Sequence, residues 1–233
     1  MAGAPAAVLF DMDGLLVDTE RLWSVAQSEL AVRLGGELTP EIRTAIHGLG
    51  GGNGLRTMLS MIGAPASAFD GSIAFLRRRI RELFAVPGAI VTRPGAAELL
   101  RALTAEGIPL GLVSSSPRAL VDLVLAAVGG EYFRVSLAGD EVRHVKPDPE
   151  PYVTAARLLA VPPQECVVLE DSESGARAGL AAGCATVLVP SMDLTCSLPV
   201  AAVVASLQLL SITSLRGLFQ PAPGASSAPW AGR

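Results

Sequence analysis

The chain has 233 residues, half of them hydrophobic, which suffices for a sizeable core in one large domain or two small ones. Its mild net charge of −4 argues against a long electropositive surface, and so against a nucleic-acid partner. No apolar run is long enough to span a bilayer, and Met1–Ala7 lacks the basic and apolar regions of a signal peptide. A cytoplasmic protein without a membrane partner is expected. Cys166, Cys184 and Cys196 are widely spaced and form no CxxC pair, so they read as small buried hydrophobes rather than as a disulfide framework or zinc site.

The first predicted element is a short buried strand over Ala6–Phe10. It runs directly into Asp11 and Asp13, followed by Gly14, which permits a sharp turn. Two buried carboxylates so close would repel each other and be costly to desolvate. They are therefore expected at the strand's C-terminal end, facing a cation and solvent, where open α/β sheets bind ligands. Residues from about Asp18 to Val91 then read as helices: Glu20–Leu34, Pro40–His47, Gly54–Ile62 and Ser67–Ala85. Between the second and third lies His47-Gly48-Leu49-Gly50-Gly51-Gly52-Asn53-Gly54, either a loop between helices or a specificity loop above a site. The run Arg77, Arg78, Arg79 and Arg81 reads as a solvated helix face, from which one arginine could reach a ligand.

From Thr92 onward, helices and strands alternate. Helices are predicted over Pro94–Glu106, Pro117–Val128, Pro149–Ala160 and Ser172–Ala182. Strands are predicted over Pro109–Val113, Val135–Ala138, Cys166–Leu169, Ala185–Val189 and, more weakly, Val200–Ala205. This alternation predicts an α/β fold, a Rossmann-like three-layer core with a parallel sheet, interrupted after its first strand by an inserted helical cap. The expected division is residues 1–17 and 92–219 for the core, 18–91 for the cap, and 220–233 for a disordered tail rich in Pro, Ala, Gly and Ser.

Three further segments carry chemistry. Strand Pro109–Val113 ends in Ser114-Ser115-Ser116-Pro117, where Ser116 can cap the next helix and the turn can bind an anion. Lys146 precedes the rigid turn Pro147-Asp148-Pro149. Strand Cys166–Leu169 ends in Glu170-Asp171-Ser172, and a helix cap at Asp171 or Ser172 leaves Glu170 unexplained. Brought to one sheet edge, Asp11, Asp13, Glu170 and Asp171 carry −4, which Lys146 reduces to −3. One like-charge pair at ~4 Å costs ~4 kcal/mol at an effective dielectric of ~20, so a divalent cation is called for. All-oxygen ligands point to Mg²⁺, and Ser and Lys donors beside it suit a phosphoryl group.

With these motifs in this order, the chain resembles the haloacid dehalogenase superfamily over about Val8–Ser214, and its insert resembles the first cap class. Phe10–Trp23, Gly111–Pro117 and Val168–Gly175 are most similar to bacterial sugar-phosphate phosphatases of the hexitol and 2-deoxyglucose-6-phosphate type. The resemblance implies a phosphatase for a small phosphorylated metabolite, with Asp11 as nucleophile and Asp13 as general acid and base. Ser114 would hold the phosphoryl group, and Lys146 would join it to the nucleophile. Mg²⁺ would be held by Asp11, Asp171, Glu170 and the Asp13 carbonyl. Ser115, Ser116, Gly50, Gly51, Trp23 and Arg78 are the expected substrate contacts, and a monomer or weak dimer is expected. The second aspartate, Asp13, disfavours dehalogenation. A phosphosugar mutase of the β-phosphoglucomutase type is the alternative. Such mutases carry an arginine where this chain has Gly and Asn, and a histidine where Trp23 stands. A phosphate sensor without turnover would have no need of Asp13 beside Asp11.

Overall fold

The computed structural model of the chain describes residues 4–46, 49, 51–191 and 197–218. The expected loop positions His47, Gly48 and Gly50, the tail 220–233 and Cys196 lie outside the described residues.

Six parallel strands form one sheet in the order β3-β2-β1-β4-β5-β6. They are β1 (Ala7–Phe10), β2 (Leu110–Val113), β3 (Phe133–Leu137), β4 (Cys166–Glu170), β5 (Ala185–Leu188) and the short β6 (Ala202–Val203). Strand β1 sits in the middle, pairing with β2 through Val8 and Leu110 and with β4 through Val8 and Val167. Side chains alternate between the faces of a strand, and β1 shows it plainly. Val8 and Phe10 join one buried cluster and Ala7 and Leu9 the other. Helices α5 (Ala96–Ala105) and α6 (Arg118–Val128) cover the first face with Leu99, Leu100, Leu120 and Val124. Helices α7 (Glu150–Leu158) and α8 (Glu173–Ala181) cover the second with Tyr152, Ala155 and Ala178. The result is the three-layer α/β arrangement that the alternation implied.

Between β1 and α5 lie α1 (Glu20–Arg33), α2 (Pro40–Ile46), α3 (Gly51–Met61) and α4 (Phe69–Phe84). Helix α1 packs on α4, α2 on α3, and α4 also touches α6 of the sheet layer. The chain leaves the sheet and returns to it side by side: Val17 bridges Thr92 in antiparallel fashion, and Arg93 N–H donates to the Leu16 carbonyl at 2.9 Å. No helix among the described residues is long and apolar enough to cross a membrane.

One expected boundary moves and one element is added. Helix α3 begins at Gly51, three residues before the predicted Gly54, so Gly51–Asn53 form its first turn rather than loop. Close packing explains glycines there: a Cβ on Gly54 would lie 3.0 Å from the Leu49 carbonyl oxygen, and one on Gly52 3.1 Å from the Phe69 ring. At the C-terminal end, Ser211 caps a further short helix, α9 (Ile212–Gly217), which the sequence pattern had not suggested. Cys166 and Cys184 are buried, in keeping with their reading as small hydrophobes.

Candidate active site

The C-terminal ends of β1, β2 and β4 lie next to one another, so Asp11, Ser114 and Asp171, each one residue beyond its strand, meet at one edge. Asp11, Glu170 and Asp171 each place a carboxylate oxygen within 4.8 Å of the others. Lys146, from the turn before α7, reaches into this group. Its Nζ donates to Asp11 Oδ1 at 2.5 Å, Glu170 Oε1 at 2.7 Å and the Val113 carbonyl at 2.9 Å. Glu170 is wholly buried, and its other oxygen accepts from the Asp171 N–H at 3.1 Å and Ser172 Oγ at 3.2 Å.

Three buried carboxylates face one ammonium, and the ionisation of the group reflects that imbalance. Burial pushes the Asp11 carboxyl well above the usual carboxylate range, and the negative charges of Glu170, Asp171 and Asp13 push the same way against Lys146. Burial works against the Lys146 charge, but Asp11 and Glu170 outweigh it and raise its pKa. Lys146 is therefore a fixed cation.

Asp13 has different company. Its Oδ1 accepts from Thr19 Oγ1 at 2.6 Å, and its Oδ2 accepts from Ser116 Oγ at 2.8 Å and Ser114 Oγ at 3.2 Å. One expected helix cap is thereby corrected, and Thr19, at the N-cap position of α1, likewise gives its hydroxyl to Asp13 instead of the helix. Ser116 does not cap α6 either, since the Arg118 N–H is taken by Asp140 Oδ1 at 2.9 Å. Ser172 does cap α8, accepting from the Gly175 N–H at 3.1 Å.

Space is as constrained as charge. Gly14 has φ +85°, and a Cβ there would run into Asp171 Oδ2. A Cβ on Gly175 would overlap the Glu170 carboxylate. Ser191 Oγ, 3.3 Å from the Cβ position of Gly14, is buried without a hydrogen-bond partner among the described residues. An all-oxygen carboxylate set, a cradle kept open by a glycine and an orphaned hydroxyl fit a hard divalent cation. Both Glu170 oxygens already accept hydrogen bonds from donors of the protein.

Above this edge lies a cavity of about 930 Å³, lined on the sheet side by Asp11, Asp13, Ser115, Ser116, Lys146 and Asp171. The helical side presents Trp23, Leu55, Met58 and Ile73 with Arg21, Arg43 and Arg77. Trp23 thus lines the cavity. Arg78 does not: it ion-pairs with Glu82 at 3.8 Å and lies over Phe75, while its neighbour Arg77 takes the cavity wall. Ser114 touches Asp13 and accepts from the Ser116 N–H at 2.9 Å, and Ser115 and Ser116 face the cavity. Gly51 lies in the first turn of α3, and its neighbour Gly52 lines the cavity. Sequence reasoning missed Thr19 and Tyr152. The Tyr152 phenol is fully buried, donates to Glu170 Oε1 at 2.6 Å, and is kept protonated by burial and by the Glu170 charge.

The family model for haloacid dehalogenase-like hydrolases matches residues 5–183. Protein CbbY of Rhodobacter capsulatus is 34% identical over 196 residues, covering 79% of this chain and 85% of that protein. Hexitol phosphatase A of Escherichia coli K12 is 37% identical over 186 residues, covering 78% and 81%. Among solved structures, CbbY from Rhodobacter sphaeroides in complex with phosphate superposes with a TM-score of 0.76 at 28% identity, covering 89% of this chain and 96% of that one. The chain belongs to the haloacid dehalogenase-like hydrolase family.

Proposed function

We propose that the protein is a Mg²⁺-dependent phosphatase acting on small phosphomonoesters, sugar or polyol phosphates above all, through an aspartyl-phosphate on Asp11. The observation that carries this reading is the Lys146–Asp11 contact of 2.5 Å at a sheet edge where Asp171 and Asp13 also converge. The names of the hexitol phosphatase and of the Thermotoga maritima phosphorylated carbohydrates phosphatase support the substrate class.

Asp11 attacks phosphorus, forming its own P–O bond as the bond to the substrate alcohol breaks. Asp13 gives its proton to the departing alkoxide. The same group, now ionised, takes a proton from a water that attacks the aspartyl-phosphate, and inorganic phosphate leaves with Asp11 restored. Lys146, Ser114 and the main chain of Ser115 and Ser116 neutralise the phosphoryl oxygens. Mg²⁺, when bound by Asp11, Asp171 and the Asp13 carbonyl, supplies charge stabilisation of the transferring group. Helices α1–α4 act as the cap that closes over the substrate and supplies its selectivity.

The test is Mg²⁺-dependent phosphate release from sugar, polyol and nucleotide monophosphates, with Asp11→Asn as control. Loss of the nucleophile lowers the rate on the order of 10³-fold or more. An unchanged rate in the variant overturns the reading. Turnover seen only as isomerisation primed by a sugar bisphosphate would replace it with the mutase.

A further inference from the structure

The Lys146 ammonium has three N–H groups, and Asp11 Oδ1, Glu170 Oε1 and the Val113 carbonyl occupy all three. To bind a phosphoryl oxygen, Lys146 must release one of these acceptors. Each of them is buried, and a buried acceptor stripped of its donor is costly. Glu170 Oε1 has a second donor already in place, the Tyr152 hydroxyl at 2.6 Å. The Tyr152 ring lies beside the ammonium as well, its centroid 4.9 Å from Nζ, which holds the cation whichever acceptors it uses. Gly175 leaves the Glu170 carboxylate the room to stay where it is.

We infer that Tyr152 is a positioning residue that lets Lys146 exchange Glu170 for the phosphoryl group, its phenol remaining as the donor to Glu170 Oε1. The inference rests on the phosphoryl-transfer reading of the site, and it gives the buried phenol a task that packing alone would leave to phenylalanine. Without the phenol, Glu170 keeps Lys146, and a tetrahedral anion at Asp11 loses a charged donor.

The probe is orthovanadate with MgCl₂, bound to the full chain and followed by calorimetry, so that no turnover is needed. Tyr152→Phe keeps the ring and removes the hydroxyl, and it is expected to weaken vanadate about tenfold, the size of one modest hydrogen bond. In a Glu170→Gln background, where Lys146 is no longer held by a charge, the same change is expected to alter affinity less than about twofold. Equal affinities of wild type and Tyr152→Phe overturn the inference, as does the same loss in both backgrounds.

A second measurement does not depend on either variant folding. The chain has two tyrosines, so 3-fluorotyrosine labelling gives one signal for Tyr152 and one for Tyr132. The Tyr152 ¹⁹F signal is expected to move on vanadate binding while Tyr132 stays, and an unmoved Tyr152 signal also overturns the inference. Vanadate binding with no phosphate release from any ester removes the phosphatase reading alone. Wild-type protein that binds no vanadate overturns both.

Discussion

On the sheet side of the cavity, Lys146, Asp13 and Glu170 are each fixed by several hydrogen bonds, and Lys146 and Glu170 are almost wholly withdrawn from solvent. On the helical side, the wall mixes Trp23, Met58 and Ile73 with Arg21, Arg43 and Arg77, and these arginines are exposed. The first wall is preorganised, and its groups cannot move without leaving a buried charge unmatched. On the second, the exposed Arg21, Arg43 and Arg77 can be exchanged at little cost to the fold, whereas Met58 belongs to the buried core. The charged groups of the two walls therefore differ in their tolerance to change.

The contrast can be broken most severely at Lys146. Lys146→Met leaves Asp11 and Glu170 facing each other without their cation, and a stability loss of about 3–5 kcal/mol is expected by denaturant unfolding at neutral pH. The loss shrinks as pH falls, because Asp11, whose carboxyl is already pushed up, takes a proton and removes one of the unpaired charges. A loss that does not depend on pH would mean that packing, not charge, is what the lysine contributes.

A milder break compares neighbours on α4. Arg77→Ala is expected to raise KM about tenfold, the scale of one charge-assisted hydrogen bond, whereas Arg78→Ala stays within about twofold. Equal effects would show that the helical wall does not discriminate between them.

The smallest expected effect lies behind the sheet wall. Glu141 binds the Arg118 guanidinium and accepts from the Ala138 N–H at 2.8 Å, tying the start of α6 to the turn that carries Gly139. The Arg118 hydrogen bonds hold its carboxyl below the usual range. A depressed carboxyl contributes stability above its ordinary pKa and loses it as pH falls through the folded value. Glu141→Gln is thus expected to cost at most about 1 kcal/mol at pH 7, the range of exposed pairs, and nothing at a pH low enough to protonate Glu141.

What could be read from the sequence follows the same division. Asp11, Asp13, Glu170 and Asp171 were legible because a hydrophobic strand ending in carboxylates is locally anomalous, and parallel strands bring such ends together. Thr19 was not, because its hydroxyl serves equally well as a helix cap until the turn after β1 brings it against Asp13. Nor was Tyr152, which in a helix pattern is one more core aromatic. The choice between Arg77 and Arg78 turns on about 100° of helix rotation, which the packing of α4 on α1, α3 and α6 fixes. The start of α3 was misplaced because glycines read as loop, whereas here they give Leu49 and Phe69 room to approach the helix.

Gly14 and Gly175 have no side chain with which to donate, accept or carry charge, yet each stands where one methyl group would displace a carboxylate of the site. Alanine is a change that most positions of a protein absorb without notice. Here it would act as an obstruction, silencing the centre while every reactive group remained in the chain. The inventory of functional groups is therefore a poor guide to whether a relative of this protein is competent, and the two residues with the least chemistry are among the most informative to read.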